Sequence, residues 1–234
     1  MPIETEARVT AIIERAYNVK SIRLEPARQA EFKAGQFLQV YFKDAPGLKR
    51  YLSLSSSPTE TGFIEFTKKL TQSDFSVRIG GLKVGELLVV KYPFGNFTLK
   101  PDLRKVAFLS GGIGITPIRS ICRYAVDKKL DIDIILLYGN RTFRDIAFRE
   151  EFEHMQSQFQ GLKVVHVLCE KAIECPTRIG LINSDIIKEE IPDFCVRKFF
   201  LCGPPVMVTT MKQILNSELK VAGENIITEN FEGY

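Results

Sequence analysis

The stretch Leu109-Ser110-Gly111-Gly112-Ile113-Gly114-Ile115-Thr116-Pro117 places three glycines within four positions, directly after an apolar run and just before a proline that can open a helix. Glycines let the backbone turn sharply and come close to a ligand, and a helix N-terminus offers free N–H groups and a positive dipole end. Strand, loop and helix come in the order that a nucleotide pyrophosphate requires. The stretch Phe200-Leu201-Cys202-Gly203-Pro204-Pro205-Val206-Met207 repeats the scheme of strand, glycine turn and proline-begun helix. By itself, a lone cysteine in an apolar strand is more often a packing residue than a reactive one. Tyr138-Gly139-Asn140-Arg141 closes a second apolar strand. Loops at strand C-termini are where an open parallel sheet binds its ligand, which puts Asn140 and Arg141 within reach of an adenosine ribose. An arginine there suits a 2′-phosphate, and the same residues also read as an exposed polar helix start; the choice between NAD and NADP stays open.

The N-terminal half carries a different chemistry. Arg50-Tyr51-Leu52-Ser53-Leu54-Ser55-Ser56-Ser57-Pro58 combines a cation with a run of hydroxyls at a strand end. Arginine forks onto phosphate, and a hydroxyl on the alternate face can hydrogen-bond a flat heterocycle. Alone, the segment reads as a polar edge strand entering a turn. Phe66-Thr67-Lys68 is followed by Ser73-Asp74-Phe75-Ser76 and by Pro93-Phe94-Gly95-Asn96-Phe97. Amides at the start of a short helix, with Ser76 as an extra donor, make an anion cradle; a capped surface helix accounts for the same pattern. In the tail, Glu229 and Phe231 stand two residues apart and would share one face of a strand.

The elements that must position these groups change rhythm along the chain. Short β-rich runs over 7–14, 19–25, 36–42, 50–55, 62–69 and 87–92, with one helix over 73–79, predict an antiparallel barrel. Ala45-Pro46-Gly47, Ser57-Pro58 and Phe94-Gly95-Asn96 serve as turn signals. After Pro101 strands and helices alternate: strands over 105–110, 132–138, 163–168 and 198–202, helices over 116–128, 144–158, 183–190 and 204–218. That spacing predicts a parallel sheet wrapped by helices. The expectation is two domains, a β-barrel over 1–101 and an α/β domain over 102–234.

Composition narrows the classes. A net charge of +4 from 32 basic and 28 acidic residues, interspersed, does not point to nucleic acid. Five cysteines, Cys122, Cys169, Cys175, Cys195 and Cys202, contain no C-x-x-C pair, so neither a disulfide framework nor a metal or iron–sulfur site is expected. The N-terminus lacks a secretory pattern and no window approaches the about 18 apolar residues of a membrane span, so the expected location is the cytoplasm.

Together these motifs, in this order, resemble the ferredoxin–NADP reductase family: its flavin motif R-x-Y-S over Arg50–Ser53, its G-G-x-G-x-x-P loop over Gly111–Pro117, its C-G-P-P-x-M signature over Cys202–Met207, and its carboxylate-x-aromatic end at Glu229 and Phe231. The resemblance implies a flavin-binding barrel followed by a nucleotide-binding α/β domain, with FAD and NAD(P)H as cofactors. It implies that Arg50 holds the FAD pyrophosphate, that Ser53 faces the flavin atom where hydride arrives, and that Phe66, Thr67, Lys68, Asp74, Phe75 and Ser76 neighbour the flavin or its phosphates. Gly111, Gly112, Gly114, Ile115, Thr116, Pro117, Asn140 and Arg141 are implied for NAD(P), with Cys202, Gly203, Pro204, Pro205 and Met207 around the nicotinamide. Ser53, Cys202 and Glu229 take the catalytic places, and Phe231 shields the flavin. At the family's tyrosine position stands Leu52, with Tyr51 before it, so the stacking residue is open among Tyr51, Leu52, Phe231 and Tyr234.

The implied activity moves hydride from NAD(P)H to FAD and then electrons to a separate acceptor such as ferredoxin, flavodoxin or a haem protein. Two alternatives share the fold: a reductase of free flavin, and a non-catalytic flavoprotein subunit of a larger electron-transfer complex.

Overall fold

A computed structural model describes residues 1–170 and 177–229 of the chain. Its first half is a six-stranded antiparallel sheet built from β1 (Ile3–Ala16), β2 (Val19–Pro26), β3 (Phe37–Phe42), β4 (Ala45–Ser53), β5 (Ile64–Lys69) and β6 (Leu87–Phe94) in the order β4-β3-β6-β1-β2-β5. An antiparallel bridge between Leu54 and Phe66 joins the two edges, closing the sheet into a barrel. Alternate residues of these strands point inward, and Val9, Ile22, Leu24, Leu38, Val40 and Phe66 fill the interior. Helix α1 (Asp74–Gly80), capped by Ser73, presses Phe75 and Ile79 into that same core.

The second half is a six-stranded parallel sheet of β7 (Lys105–Gly111), β8 (Asp133–Asn140), β9 (Leu162–Leu168), β10 (Thr177–Ile179), β11 (Lys198–Cys202) and β12 (Ile226–Glu229), ordered β10-β9-β8-β7-β11-β12. Helices α2 (Ile115–Asp127), α3 (Arg149–Gln158), α4 (Ser184–Glu190) and α5 (Pro205–Gln213) connect the strands. Successive strands run outward from β7 in one direction to β10 and in the other to β12, so the order reverses between β7 and β11. Open parallel sheets bind ligands at the carboxyl ends of the strands flanking such a reversal.

Three local expectations need correction, and one strand is not among those expected. Ala45-Pro46-Gly47 lies inside β4; the reversal falls earlier, with Phe42 pairing Ala45 across Lys43-Asp44. The helix expected over 144–158 starts only at Arg149. Thr142 and Asp145 cap a separate 3-10 turn, and Phe148 takes a left-handed φ of 60° that interrupts the run. The last helix leaves α-geometry at Ile214 for a wider π-turn through Glu218. The three-residue β10, exposed or half-buried throughout, has no alternation by which a sequence could announce it.

The two halves share one apolar seam. Val19, Ala34 and Phe97 from the barrel side pack in the same cluster as Phe108, Ile115, Ile118, Ile121 and Phe200. Phe97 meets Phe200 edge to face at 5.1 Å. Gly35, at φ 94°, leaves no room for a side chain: a Cβ there would strike the Phe97 carbonyl and reach 2.9 Å from Ile121 of α2.

Candidate cofactor and nucleotide site

The sheet half of the site is a row of side chains at the strand ends. Ser110, Cys202 and Glu229 are in register on β7, β11 and β12, so their side chains stand on one face. All three are buried. The loop after β7 closes over this row. A Cβ on Gly114 would run into the Cys202 carbonyl and lie 2.6 Å from the Gly203 Cα, while one on Gly111 would hit the Met207 sulfur and lie 3.2 Å from Pro204. The close fit of the β7 and β11 loops therefore depends on these glycines. Gly112 differs: it holds a left-handed φ of 50°, a side chain there would meet only open space, and its carbonyl accepts the Tyr138 hydroxyl at 3.1 Å. Thr116 donates its hydroxyl to the Ile113 carbonyl, and Pro205 opens α5 at its first turn. Ile115 and Pro117 are buried at the start of α2. Asn140 is buried at the β8 tip beside the Tyr138 hydroxyl without a well-formed hydrogen bond to it, and Arg141 is exposed just beyond.

The barrel half presents side chains instead. Ser53 ends β4, is buried, and its hydroxyl has no hydrogen-bond partner among the described residues. Alternation puts Tyr51 on the Ser53 face, where its half-exposed ring meets Phe37 at 5.9 Å and Phe94 at 6.3 Å. Arg50 and Leu52 take the opposite face: Leu52 packs on the barrel core, and the Arg50 guanidinium lies 5.6 Å from the Phe75 ring. Lys68 is buried nearby, and its pKa is lowered first by that burial and then by the charge of Arg50. Two cations without an acidic partner among the described residues form a site that an anion would relieve.

Other expected residues are placed elsewhere. Phe66 lies in the barrel core, and the Thr67 hydroxyl is 2.6 Å from Ser21 Oγ and 2.8 Å from Ser55 Oγ in a buried network. Ser76 serves the cap of α1: its amide donates to Ser73 Oγ at 3.4 Å and its hydroxyl meets Thr71 at 3.0 Å. Asp74 is exposed. Phe231 and Tyr234 lie outside the described residues.

The two half-sites meet at Gly95. Gln36 accepts the Leu54 amide on its carbonyl and donates its side-chain amide to the Gly95 carbonyl at 3.0 Å, linking the residue after Ser53 to this glycine. A Cβ on Gly95 would sit 2.7 Å from the Phe37 ring and 3.5 Å from the Glu229 carboxylate. Glu229, in register with Cys202 on the sheet, thus stands beside the Gly95 turn of the barrel, which Gln36 ties to the segment following Ser53. Burial pushes Glu229 up to about 8, and one of its oxygens has no partner. Burial first, and then the charge of Glu229, holds the Cys202 thiol well above the usual range, so it stays protonated.

Sequence reasoning missed the polar contacts that bind the halves beside this cleft. Arg119 of α2, almost entirely buried, reaches Ser55, Glu60 and Glu151. A signal existed: Arg119 interrupts the apolar stripe Ile115, Ile118, Cys122 of an otherwise amphipathic helix. A cavity of about 940 Å³, lined by residues such as Phe32, Phe63, Tyr92 and Tyr124, shares no lining residue with the site expected from sequence. No group of metal-ligating side chains is found among the described residues.

The barrel, with its two neighbouring cations, thus abuts a parallel sheet whose glycine loop stands at the strand ends. Residues 6–99 match the family model of the oxidoreductase FAD-binding domain, and residues 108–213 that of the oxidoreductase NAD-binding domain. The glycine betaine monooxygenase reductase subunit of Chromohalobacter salexigens is 32% identical over 194 residues, covering 80% of this chain and 52% of that protein. The propane 2-monooxygenase reductase component of Rhodococcus jostii is 28% identical over 231 residues, covering 93% and 61%. Among solved structures, a ferredoxin reductase in carbazole 1,9a-dioxygenase superposes with a TM-score of 0.84 at 26% identity, over 99% of this chain and 70% of that one. The chain spans about half the length of the first of these relatives. It belongs to the ferredoxin–NADP reductase-like family of FAD- and NAD-binding oxidoreductases. No helix among the described residues is long and apolar enough to cross a membrane.

Proposed function

We propose that this chain takes hydride from NAD(P)H onto FAD and passes the electrons to a separate redox partner, as the reductase component of an oxygenase system in the cytoplasm. The observation that carries the reading is the set of buried, unpartnered polar atoms at the meeting of the halves: Ser53 Oγ, Ser110 Oγ and one oxygen of Glu229. Such atoms are costly unless a ligand completes them. The names of the relatives, reductase components of monooxygenases, support an oxygenase-linked partner.

In this reading residues 1–101 hold the flavin and 102–234 the nucleotide, supported by the gap between β6, ending at Phe94, and β7, starting at Lys105. Arg50 and Lys68 neutralise the FAD diphosphate, and Leu52 gives the apolar contact on the Arg50 face. Ser53 offers its free hydroxyl to the flavin edge. Gly112 and the start of α2 receive the nucleotide pyrophosphate, with Asn140 and Arg141 toward its adenosine. Cys202 and Gly203–Pro205 wall the nicotinamide pocket. Glu229, with its pKa raised by burial, holds a proton near neutral pH and can donate a hydrogen bond there. FAD, when bound, supplies the exchange between two-electron donor and one-electron acceptor that no side chain here provides.

Purified full-length protein loaded with FAD should lose its flavin absorbance band on anaerobic addition of NADH or NADPH, and the preferred donor should act at the lower concentration. Protein that binds FAD but is bleached by neither nucleotide would reject the reading.

A further inference from the structure

The contacts between the halves form a closed ring of charged and polar groups. Arg119 donates to the Ser55 carbonyl at 3.1 Å, to Glu60 at 3.0 Å, and to Glu151 at 2.9 Å and 2.6 Å. Glu151 also accepts from Arg15 of β1 at 2.5 Å. Arg15 continues to Glu65 at 3.1 Å, and Glu65 accepts the Ser55 hydroxyl at 3.0 Å, which returns the ring to its start. The ring crosses between barrel and sheet twice, at Arg119–Ser55 and at Arg15–Glu151. Alongside it, Ser120 donates its hydroxyl to the Ser56 carbonyl at 2.7 Å.

Its position matters more than its strength. Arg119 stands one turn, about 6 Å, into the helix that the glycine loop leads directly into. Ser55 stands two residues after Ser53 on the segment that leaves β4. Burial opposes the Arg119 charge, but its hydrogen bonds with Glu60 and the charges of Glu151, Glu60 and Glu65 outweigh it, so the guanidinium stays ionised. Glu151 is likewise held below the usual carboxylate range: Arg119 and Arg15 overcome its burial. An apolar seam can stabilise a junction as well as buried ions do. What a planar, three-way fork adds is a fixed alignment.

We propose that Arg119 is a positioning residue: by gripping Ser55, Glu60 and Glu151 together it sets the placement of Ser53 against the Gly111–Gly114 loop, and with it the rate of hydride delivery, while touching neither cofactor. This rests on the function proposed above. It assigns to the ring an effect on the turnover step rather than on binding.

The test is anaerobic stopped-flow reduction of the FAD-loaded full chain by NAD(P)H, protonated or deuterated at C4, in Arg119→Lys, Arg119→Met and Glu151→Gln. The expected result is retained FAD, nucleotide affinity within about threefold of wild type, and a limiting reduction rate at least tenfold lower in Arg119→Met with a larger isotope effect. Arg119→Lys, which keeps charge without the fork, should recover only part of the rate. Glu151→Gln opens the ring while sparing Arg119 and should slow the same step if Arg119→Met fails to fold. Limiting rates within twofold of wild type in flavin-loaded variants, or losses confined to nucleotide affinity, overturn the proposal. If the wild-type holoprotein itself is reduced by neither nucleotide, the failure is that of the function, not of the ring alone.

Discussion

The barrel and the parallel sheet approach the shared cleft with opposite materials. On the barrel side the groups proposed to meet the ligand are side chains: two neighbouring cations, Arg50 and Lys68, and the hydroxyl of Ser53, unpartnered among the described residues. On the sheet side the groups are mostly backbone, and three of the four residues from Gly111 to Gly114 have no side chain at all. Charge attraction in the first region weakens by degrees as groups are removed. Steric fit in the second depends on what a new atom strikes, so it should fail abruptly at one glycine and recoverably at another.

Gly114 should give the largest effect. In Gly114→Ala the added carbon meets backbone of Cys202 and Gly203, which cannot move aside, so kcat/KM for the nicotinamide should fall by roughly 100-fold, about 2.7 kcal/mol, with FAD retained. In Gly111→Ala the nearest obstacle is the flexible Met207 side chain, and a second change, Met207→Ala, should restore much of the lost activity. Equal rescue of both glycine variants by Met207→Ala would erase the distinction drawn here.

On the barrel side the expected losses are smaller and graded. Arg50→Ala should weaken FAD retention roughly 10- to 100-fold, the range of one or two charge-assisted hydrogen bonds. Lys68→Gln should cost less, because burial and Arg50 already disfavour its charge. Equilibrium dialysis of FAD measures both, and a Lys68 effect exceeding that of Arg50 would reverse their assigned weights.

Much of this contrast was legible in the sequence, for a physical reason. Glycine loops and proline-begun helices write their backbone demands into composition, so the segments around Gly111 and Gly203 could be placed before any coordinates. Strand alternation likewise sets Leu52 with Arg50 and Tyr51 with Ser53, the division that the folded barrel displays. The ring through Arg119 was not legible, because its partners are 32 to 64 residues away along the chain and no spacing encodes them. Nor was the fate of Thr67, whose hydroxyl is taken up by Ser21 and Ser55 from other strands. The break at Phe148 depends on a left-handed backbone at a bulky residue, which sequence patterns count as helix.

A further expected effect, on stability rather than on activity, joins the two regions. Glu229 titrates near 8 in the folded chain against 4.5 for the free group, so the folded state keeps a proton that the unfolded state loses. Stability should therefore be greatest below about pH 4.5 as far as this group is concerned, and should decline as pH rises toward 8. Glu229→Gln should remove that decline, so its Tm relative to wild type should climb by roughly ten degrees between pH 5 and pH 8. A constant Tm difference across that interval would mean that Glu229 ionises freely.

The seam built from Val19, Ala34, Gly35 and Phe97 on one side and α2 with Phe200 on the other has a consequence for inheritance. Each half carries part of the lining that the other needs, down to a glycine whose missing side chain leaves room for Ile121 of α2. A chimera that joined this barrel to a foreign sheet at the linker would bring together two surfaces shaped for other mates. The halves can be exchanged among proteins only if the contact residues travel with them, so the unit that recombination can transplant intact is the pair.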